Sequence, residues 1–235
     1  MRVLTIGDVH FPFVHPHYMD FILDKAEKER PDHIHFAGDI FDNHALGRFD
    51  NEPNSMSMHD ELIQARRSVK RWYSIFPNAT VSIGNHDVRY IKHSKLSPKF
   101  LRNYQQVYNT PNWDWQYSHV FDNVRYEHGD AATGKDGAIN LAMAYRQSIV
   151  VGHTHTWGGV KWHTAASGHS VFGLNVGCGV DSTAYAFNYA KWLKNKPTLG
   201  CGLVIDGEEA YFLKMPDDPK SRYRKRRRRG QRKKK

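Results

Sequence analysis

Five short blocks hold most of the residues in this sequence that can do chemistry: Gly7-Asp8-Val9-His10, Gly38-Asp39-Ile40-Phe41-Asp42, Gly84-Asn85-His86-Asp87, His128-Gly129 and Gly152-His153-Thr154-His155. Their carboxylates, imidazoles and single amide are oxygen and nitrogen donors of the kind that hold divalent transition metals. Asp39 is the centre of this reading. A carboxylate has two oxygens and can touch two cations at once, so Asp39 is expected to bridge a metal pair. Asp8, His10, Asn85, His128, His153 and His155 would then gather round it. A lone Asp-x-His or Gly-Asp occurs by chance in many chains, but five such blocks in order, each just after an apolar run, do not.

Strands are needed to carry these blocks. Val3–Ile6, His33–Ala37, Thr80–Ile83, Val124–His128 and Ser148–Val151 are short apolar runs that each end at one of them. In extended chain, residues i and i+2 point the same way, so Asp8 and His10 share a face. Helices are expected between the strands. Tyr18, Phe21, Ile22, Lys25 and Ala26 recur at helical spacing up to Arg30, where Pro31 stops the helix. Ser57–Phe76 reads as a long amphipathic helix, with Leu62, Ile63, Ala65, Val69, Trp72 and Tyr73 inward and Arg66, Arg67, Lys70 and Arg71 outward.

Val88–Asn109 is expected to be helical with a break at Ser97-Pro98, and Ala138–Arg146 forms a further helix. Trp113, Trp115 and Tyr117 alternate with polar neighbours, as in a half-buried strand. Strands are also expected at Gly158–His163, Val171–Val176, Leu203–Ile205 and Ala210–Leu213, and a helix at Ser182–Asn195. Early strand–helix alternation followed by meandering strands indicates an α/β fold with mixed sheets.

The composition excludes several classes. At 235 residues and 40% hydrophobic content the chain can build one substantial core, and it has no apolar run long enough for a membrane span. Two cysteines, Cys178 and Cys201, are too few for a disulfide framework or a thiolate zinc site. The start of the sequence runs straight into a strand without a signal-peptide pattern, so a cytoplasmic, reducing compartment is expected. The net charge of +10 is uneven: residues 220–235 hold 12 Lys/Arg and no acid, while residues 1–219 hold 22 Lys/Arg against 24 Asp/Glu. A near-neutral domain over residues 1–216 and a basic tail over 217–235, disordered in isolation, is the expected organisation.

The ordered set of blocks resembles the calcineurin-like metallophosphoesterase superfamily, over roughly Met1 to Cys178. Small phage and bacterial phosphoesterases, and the nuclease domain of the Mre11/SbcD type, are built on this pattern. The resemblance implies a four-layer α/β/β/α sandwich of two mixed sheets. It assigns Asp8, His10 and His155 to a first metal and Asn85, His128 and His153 to a second, with Asp39 between them. Manganese is the first expectation, with iron or zinc as alternatives. It also implies that a water shared by the metals attacks phosphorus, that His86 protonates the leaving oxygen or binds a phosphoryl oxygen, and that Asp42 orients His86. The other ten histidines are read as structural, His44 being the one nearest a substrate.

The match departs from protein Ser/Thr phosphatases. Those carry Asp-Arg-Gly after the second block, where this chain has Asp42-Asn43-His44, and Glu where it has Asp87. The arginine that grips a phosphomonoester dianion is therefore missing from its usual place. Asn43, His44, Arg48 and Arg89 are the candidate substrate-binding residues. The expected reaction is hydrolysis of a phosphodiester, with nucleic acid as the polymer. The cations of the tail would hold it: Arg222, Arg224, Lys225, Arg226, Arg227, Arg228, Arg229, Arg232, Lys233, Lys234 and Lys235. Trp113, Trp115 and Tyr117 could stack on bases, although core packing is the commoner fate of such a pattern. The alternatives are a phosphomonoesterase or dinucleoside polyphosphate hydrolase, and a nucleic-acid-binding protein whose metals only support the fold.

Overall fold

The computed structural model describes residues 1–47, 53, 55–93, 104–190 and 194–219. Arg48 and the basic run Lys220–Lys235 lie outside the described residues. Two mixed sheets form the centre. The first has the order β11-β10-β1-β2-β3-β4, from Glu209–Lys214 (β11), Gly200–Ile205 (β10), Arg2–Ile6 (β1), His33–Phe36 (β2), Ala79–Ser82 (β3) and Trp113–Gln116 (β4). The second has the order β5-β6-β7-β9-β8, from Ser118–Phe121 (β5), Val124–Glu127 (β6), Ser148–Val151 (β7), Ser170–Asn175 (β9) and Gly159–Thr164 (β8).

The core divides into layers. Helices α1 (Tyr18–Glu29) and α2 (Met58–Ile75) cover the outer face of the first sheet, where Phe21, Ile22, Val69 and Trp72 pack on Leu4, Ile6, Phe36 and Val81. Val3, Val124, Tyr126, Val150, Phe172, Leu174 and Val204 fill the space between the sheets. Helix α5 (Gly137–Tyr145) closes the far side, with Ile139 and Ala142 against Ile149, Val151 and Val171. The result is a four-layer α/β/β/α arrangement.

Local chemistry sets the ends of these elements. Arg30, in the left-handed region at φ 46°, ends α1 just before Pro31, and its N–H caps the Ala26 carbonyl. Ser57 caps α2 by accepting the Asp60 N–H at 3.2 Å.

Some expectations change. Trp113 and Trp115 are core residues, 0% and 8% exposed, so neither can stack on a base; Tyr117 lies just beyond β4 and is exposed. Strand β5 was not anticipated. It is hairpinned to β6 through Asp122 and Asn123, both at positive φ, the conformation a tight hairpin turn requires. Within the helix expected over Ser182–Asn195, the described residues form a 3-10 helix at Tyr185–Ala190, and residues 191–193 lie outside the described set. Short helices α3 (Asp87–His93) and α4 (Tyr104–Tyr108) flank residues outside the described set, which include the expected break at Ser97-Pro98. No helix among the described residues is long and apolar enough to cross a membrane.

A histidine cluster spans the inter-sheet layer. His33 Nε2 and His35 Nδ1 approach Thr80 Oγ1 at 2.8 and 2.9 Å, and His35 Nε2 approaches Ser82 Oγ at 3.2 Å. Burial, with the nearby His119 and His33 adding to it, pushes the His35 pKa well below its ordinary value. His35 thus stays neutral in the fold while an unfolded chain takes up its proton, so stability present above about pH 6.5 is lost as pH falls below it. Chemical denaturation of the metal-free protein should show a loss of about 1 kcal/mol from this residue between about pH 7 and pH 5.5. His35→Gln should flatten that slope, and equal slopes in the two proteins would contradict the account.

Candidate metal centre

Strands β1, β2 and β3 are parallel neighbours, and so are β6 and β7 in the other sheet. Their C-terminal ends meet at one rim of the sandwich, where exposed backbone ends and turns position ligands. Asp8 and His10 follow β1, Asp39 and Asp42 follow β2, and Asn85 and His86 follow β3. From the second sheet, His128 follows β6, and His153 and His155 follow β7. The turns are tight: His10, Asp39 and His153 have φ of 46°, 46° and 59°. Such left-handed residues cost free energy that the surrounding contacts must offset, and they cluster at functional sites. Glycines let the backbones close in. A Cβ at Gly84 would fall 2.1 Å from Asp39 Oδ1, and one at Gly152 would fall 2.1 Å from Asp8 Oδ1.

Two sets of donor atoms converge there. In the first, His155 Nε2 lies 3.1 Å from both His10 Nε2 and Asp8 Oδ2, and His10 Nε2 lies 3.6 Å from Asp39 Oδ2. In the second, Asn85 Oδ1 lies 3.1 Å from both His128 Nε2 and His153 Nδ1, with His128 Nε2 3.2 Å from Asp39 Oδ2. A single atom, Asp39 Oδ2, therefore belongs to both sets. The other oxygen, Oδ1, accepts the His86 N–H at 2.8 Å and is held back from the centre. Backbone hydrogen bonding thus claims Oδ1 and leaves Oδ2 as the Asp39 oxygen that faces both donor sets.

These residues fit a pair of divalent ions. His128 Nδ1 donates to the Ala37 carbonyl at 3.0 Å, which leaves its Nε2 lone pair facing inward. Asp8 Oδ1 is buried without a hydrogen-bond partner among the described residues. Asp8 and Asp39 are 0% and 2% exposed, and buried carboxylates call for cations close by. Burial lowers the His10 and His153 pKa values, keeping those rings neutral as ligands must be. For His128 burial acts the same way, but the Asp39 and Asp8 charges outweigh it and push the value up to about 10. A cation there competes with that proton, so metal affinity rises with pH.

The chain matches the family model of the calcineurin-like phosphoesterases over residues 1–167. It belongs to that family. A search of curated proteins finds no match. Among solved structures it is similar to a metallophosphoesterase from Sphaerobacter thermophilus, at 18% identity and a TM-score of 0.52, over 96% of this chain and 93% of that one. It is also similar to the phosphoesterase Yfce from E. coli, at 14% identity and a TM-score of 0.44, over 87% and 88% of the two chains. Vps29 from Entamoeba histolytica complexed with zinc gives 17% identity and a TM-score of 0.44, over 93% and 94%. The likeness to the Sphaerobacter protein is one of fold.

Around this phosphoesterase centre lies a layer of supporting groups. Asp42 Oδ1 stands 2.6 Å from His10 Nδ1 and 3.3 Å from His86 Nδ1, so its shorter contact is to His10. Burial works against the Asp42 charge, but hydrogen bonds from His10 and His86 hold the carboxyl well below its ordinary range. The His86 Nδ1–H instead has the Asp42 backbone carbonyl at 2.8 Å. Asp87 ties two loops together, accepting the Phe41 N–H and the Gly84 N–H at 3.0 Å each. Burial, aided by the Asp39 charge, raises its pKa to about 7.

The sequence reading missed Glu61. Its carboxylate accepts the His44 and Ala45 N–H groups at 2.7 and 3.1 Å, and burial raises its pKa to about 7. In the sequence it looks like an ordinary acid in the first turn of a helix. Asp130 was missed as well; although exposed, it reaches within 3.7 Å of His128 Nε2 and 3.8 Å of His153 Nδ1.

The candidate substrate residues separate. Asn43 donates its amide to the His86 carbonyl at 2.9 Å, which makes it a brace for that loop. His44 is buried near Asp42 and Tyr185. Arg89 reaches His86 itself.

A carboxylate that orients a ligating imidazole typically carries 10–100-fold in metal affinity. Asp42→Asn should therefore weaken Mn²⁺ binding by about 10-fold or more, measured by calorimetric titration of the chelator-stripped protein. Unchanged affinity would remove the link through His10.

Proposed function

We propose that this chain hydrolyses phosphodiester bonds, with nucleic acid as the natural polymer and manganese as the working metal. The observation that carries the hydrolytic part is the pair of donor sets meeting at Asp39 Oδ2. When bound, a pair of divalent ions polarises the phosphoryl oxygens and lowers the pKa of a water enough for attack near neutral pH. The chain's own residues do the rest. Asp39 Oδ1, anchored by the His86 N–H, fixes the direction in which Oδ2 faces the donor sets, and Asp42 and the Ala37 carbonyl set the rings of His10 and His128.

His86 stands beside the ligand cluster, with Nε2 3.9 Å from Asp39 Oδ2. Burial lowers its pKa, but the Asp39 and Asp42 carboxylates outweigh that and raise it on balance. Once Nε2 is released from the Arg89 guanidinium, a proton on it is available to the leaving oxygen. The diester preference rests on Asp42-Asn43-His44 standing where the phosphatases carry Asp-Arg-Gly, and on the cationic run from Lys220. Several cations in sequence neutralise successive phosphates and release counterions, giving salt-sensitive binding without base preference.

A phosphomonoesterase is the second reading, favoured by the guanidinium of Arg89 beside His86.

One experiment separates these readings. The Mn²⁺-loaded protein is offered bis- and mono-nitrophenyl phosphate, an alkyl phosphodiester, and single- and double-stranded DNA and RNA. The proposal expects cleavage of the bis ester over the mono ester, and of polymer. His86→Ala should lose more on the alkyl ester than on the nitrophenyl one. A chain ended at Pro219 should keep the small-ester rate while losing polymer affinity and most of its salt dependence. A preference for the mono ester supports the second reading, and DNA binding that survives chelation with no ester cleaved would contradict both.

A further inference from the structure

Arg89 sits on α3, three residues after His86. Its Nη2 donates to His86 Nε2 at 2.8 Å, and its Nη1 donates to the Asp42 carbonyl at 3.2 Å. That same carbonyl faces His86 Nδ1 at 2.8 Å. A carbonyl only accepts and a guanidinium only donates, so the tautomer follows from the partners: His86 carries its hydrogen on Nδ1 and turns a lone pair to Arg89. Two carboxylates border the same ring, yet Arg89 pairs with no carboxylate among the described residues. A partly buried cation beside the cluster thus spends its hydrogen bonds on two neutral acceptors.

This arrangement is incompatible with His86 donating from Nε2. As long as Arg89 donates to Nε2 at 2.8 Å, that nitrogen acts as an acceptor and has no hydrogen to give. An incoming phosphoryl group changes the balance. Hydrogen bonds between ions are about twice as strong as neutral ones, and a guanidinium fork matches two phosphoryl oxygens. The distance to cover is small, because Nη2 touches a nitrogen that is itself 3.9 Å from Asp39 Oδ2.

We infer that Arg89 is the phosphoryl-binding arginine of this site, and that substrate draws it off His86 Nε2, exposing that nitrogen to the ester oxygen. This deepens the phosphoesterase reading and rests on it. This arginine reaches in from the helix after the third block, not from the loop after the second, and its fork can grip the phosphoryl oxygens of a diester as well as those of a monoester.

The test uses full-length, Mn²⁺-loaded protein, inorganic phosphate as the probe, and the variants Arg89→Gln and Arg89→Lys. Calorimetry should show phosphate binding weakened about 10-fold or more in Arg89→Gln, and less in Arg89→Lys, which keeps the charge but loses the fork. Bound metal, read by atomic emission, should match wild type in both. Phosphate affinity within about two-fold of wild type in both variants would overturn the inference, as would a wild type that binds no phosphate. So would loss of bound metal in both variants, which would make Arg89 a brace for the Asp42 loop. If wild type binds phosphate in an Arg89-dependent way but cleaves no ester, the hydrolytic reading fails while this inference stands.

Discussion

The structure depends on keeping two carboxylates, Asp8 and Asp39, buried at the meeting point of two sheets. Neither has a lysine or arginine partner among the described residues; imidazoles, an amide and backbone N–H groups surround them. Such a cluster of acceptors is costly in a low-dielectric setting unless cations or protons occupy it. In their absence His128 takes up the proton, its pKa pushed to about 10 by Asp39 and Asp8 against the effect of burial. The same electrostatic demand makes the site a receptor for divalent metal.

Meeting that demand shapes the rest of the fold. Parallel strands in both sheets bring their C-terminal ends to one rim, and the strained turns at His10, Asp39 and His153 aim the donors inward. Glycines at 84 and 152 let the turns approach the carboxylates, and Asp87 holds the Asp39 and Asn85 loops together through two backbone hydrogen bonds. Hydrogen bonds of this kind contribute about 1 kcal/mol each, and two from one buried acid hold both loops. Asp42, Glu61 and the Ala37 carbonyl finish this supporting layer.

Much of this was legible in the sequence because each block directly follows an apolar strand, and strand ends in an α/β fold lie together. The convergence of Asp8, His10, Asp39, Asn85, His128, His153 and His155 follows from that topology. What the sequence could not show is which atom faces which. Asp42 stands three residues after Asp39 and near His86, yet its shorter contact is to His10, a matter of ring orientation rather than spacing. Glu61 was hidden because first-turn acids are usually solvated. Strand β5 was hidden because its turn, Asp122-Asn123, lacks the glycine that usually marks a hairpin. Trp113 and Trp115 could be read either way until burial settled them in the core.

The central claim is that Asp39 belongs to both donor sets, its Oδ2 lying 3.6 Å from His10 Nε2 and 3.2 Å from His128 Nε2, and would hold both ions of a pair. Metal titration of the chelator-stripped protein tests it most directly, comparing wild type with Asp39→Asn. The account predicts about two Mn²⁺ per chain in wild type, and weakened binding at both sites in the variant. Two ions bound by Asp39→Asn with wild-type affinity, or no more than one by wild type, would contradict it.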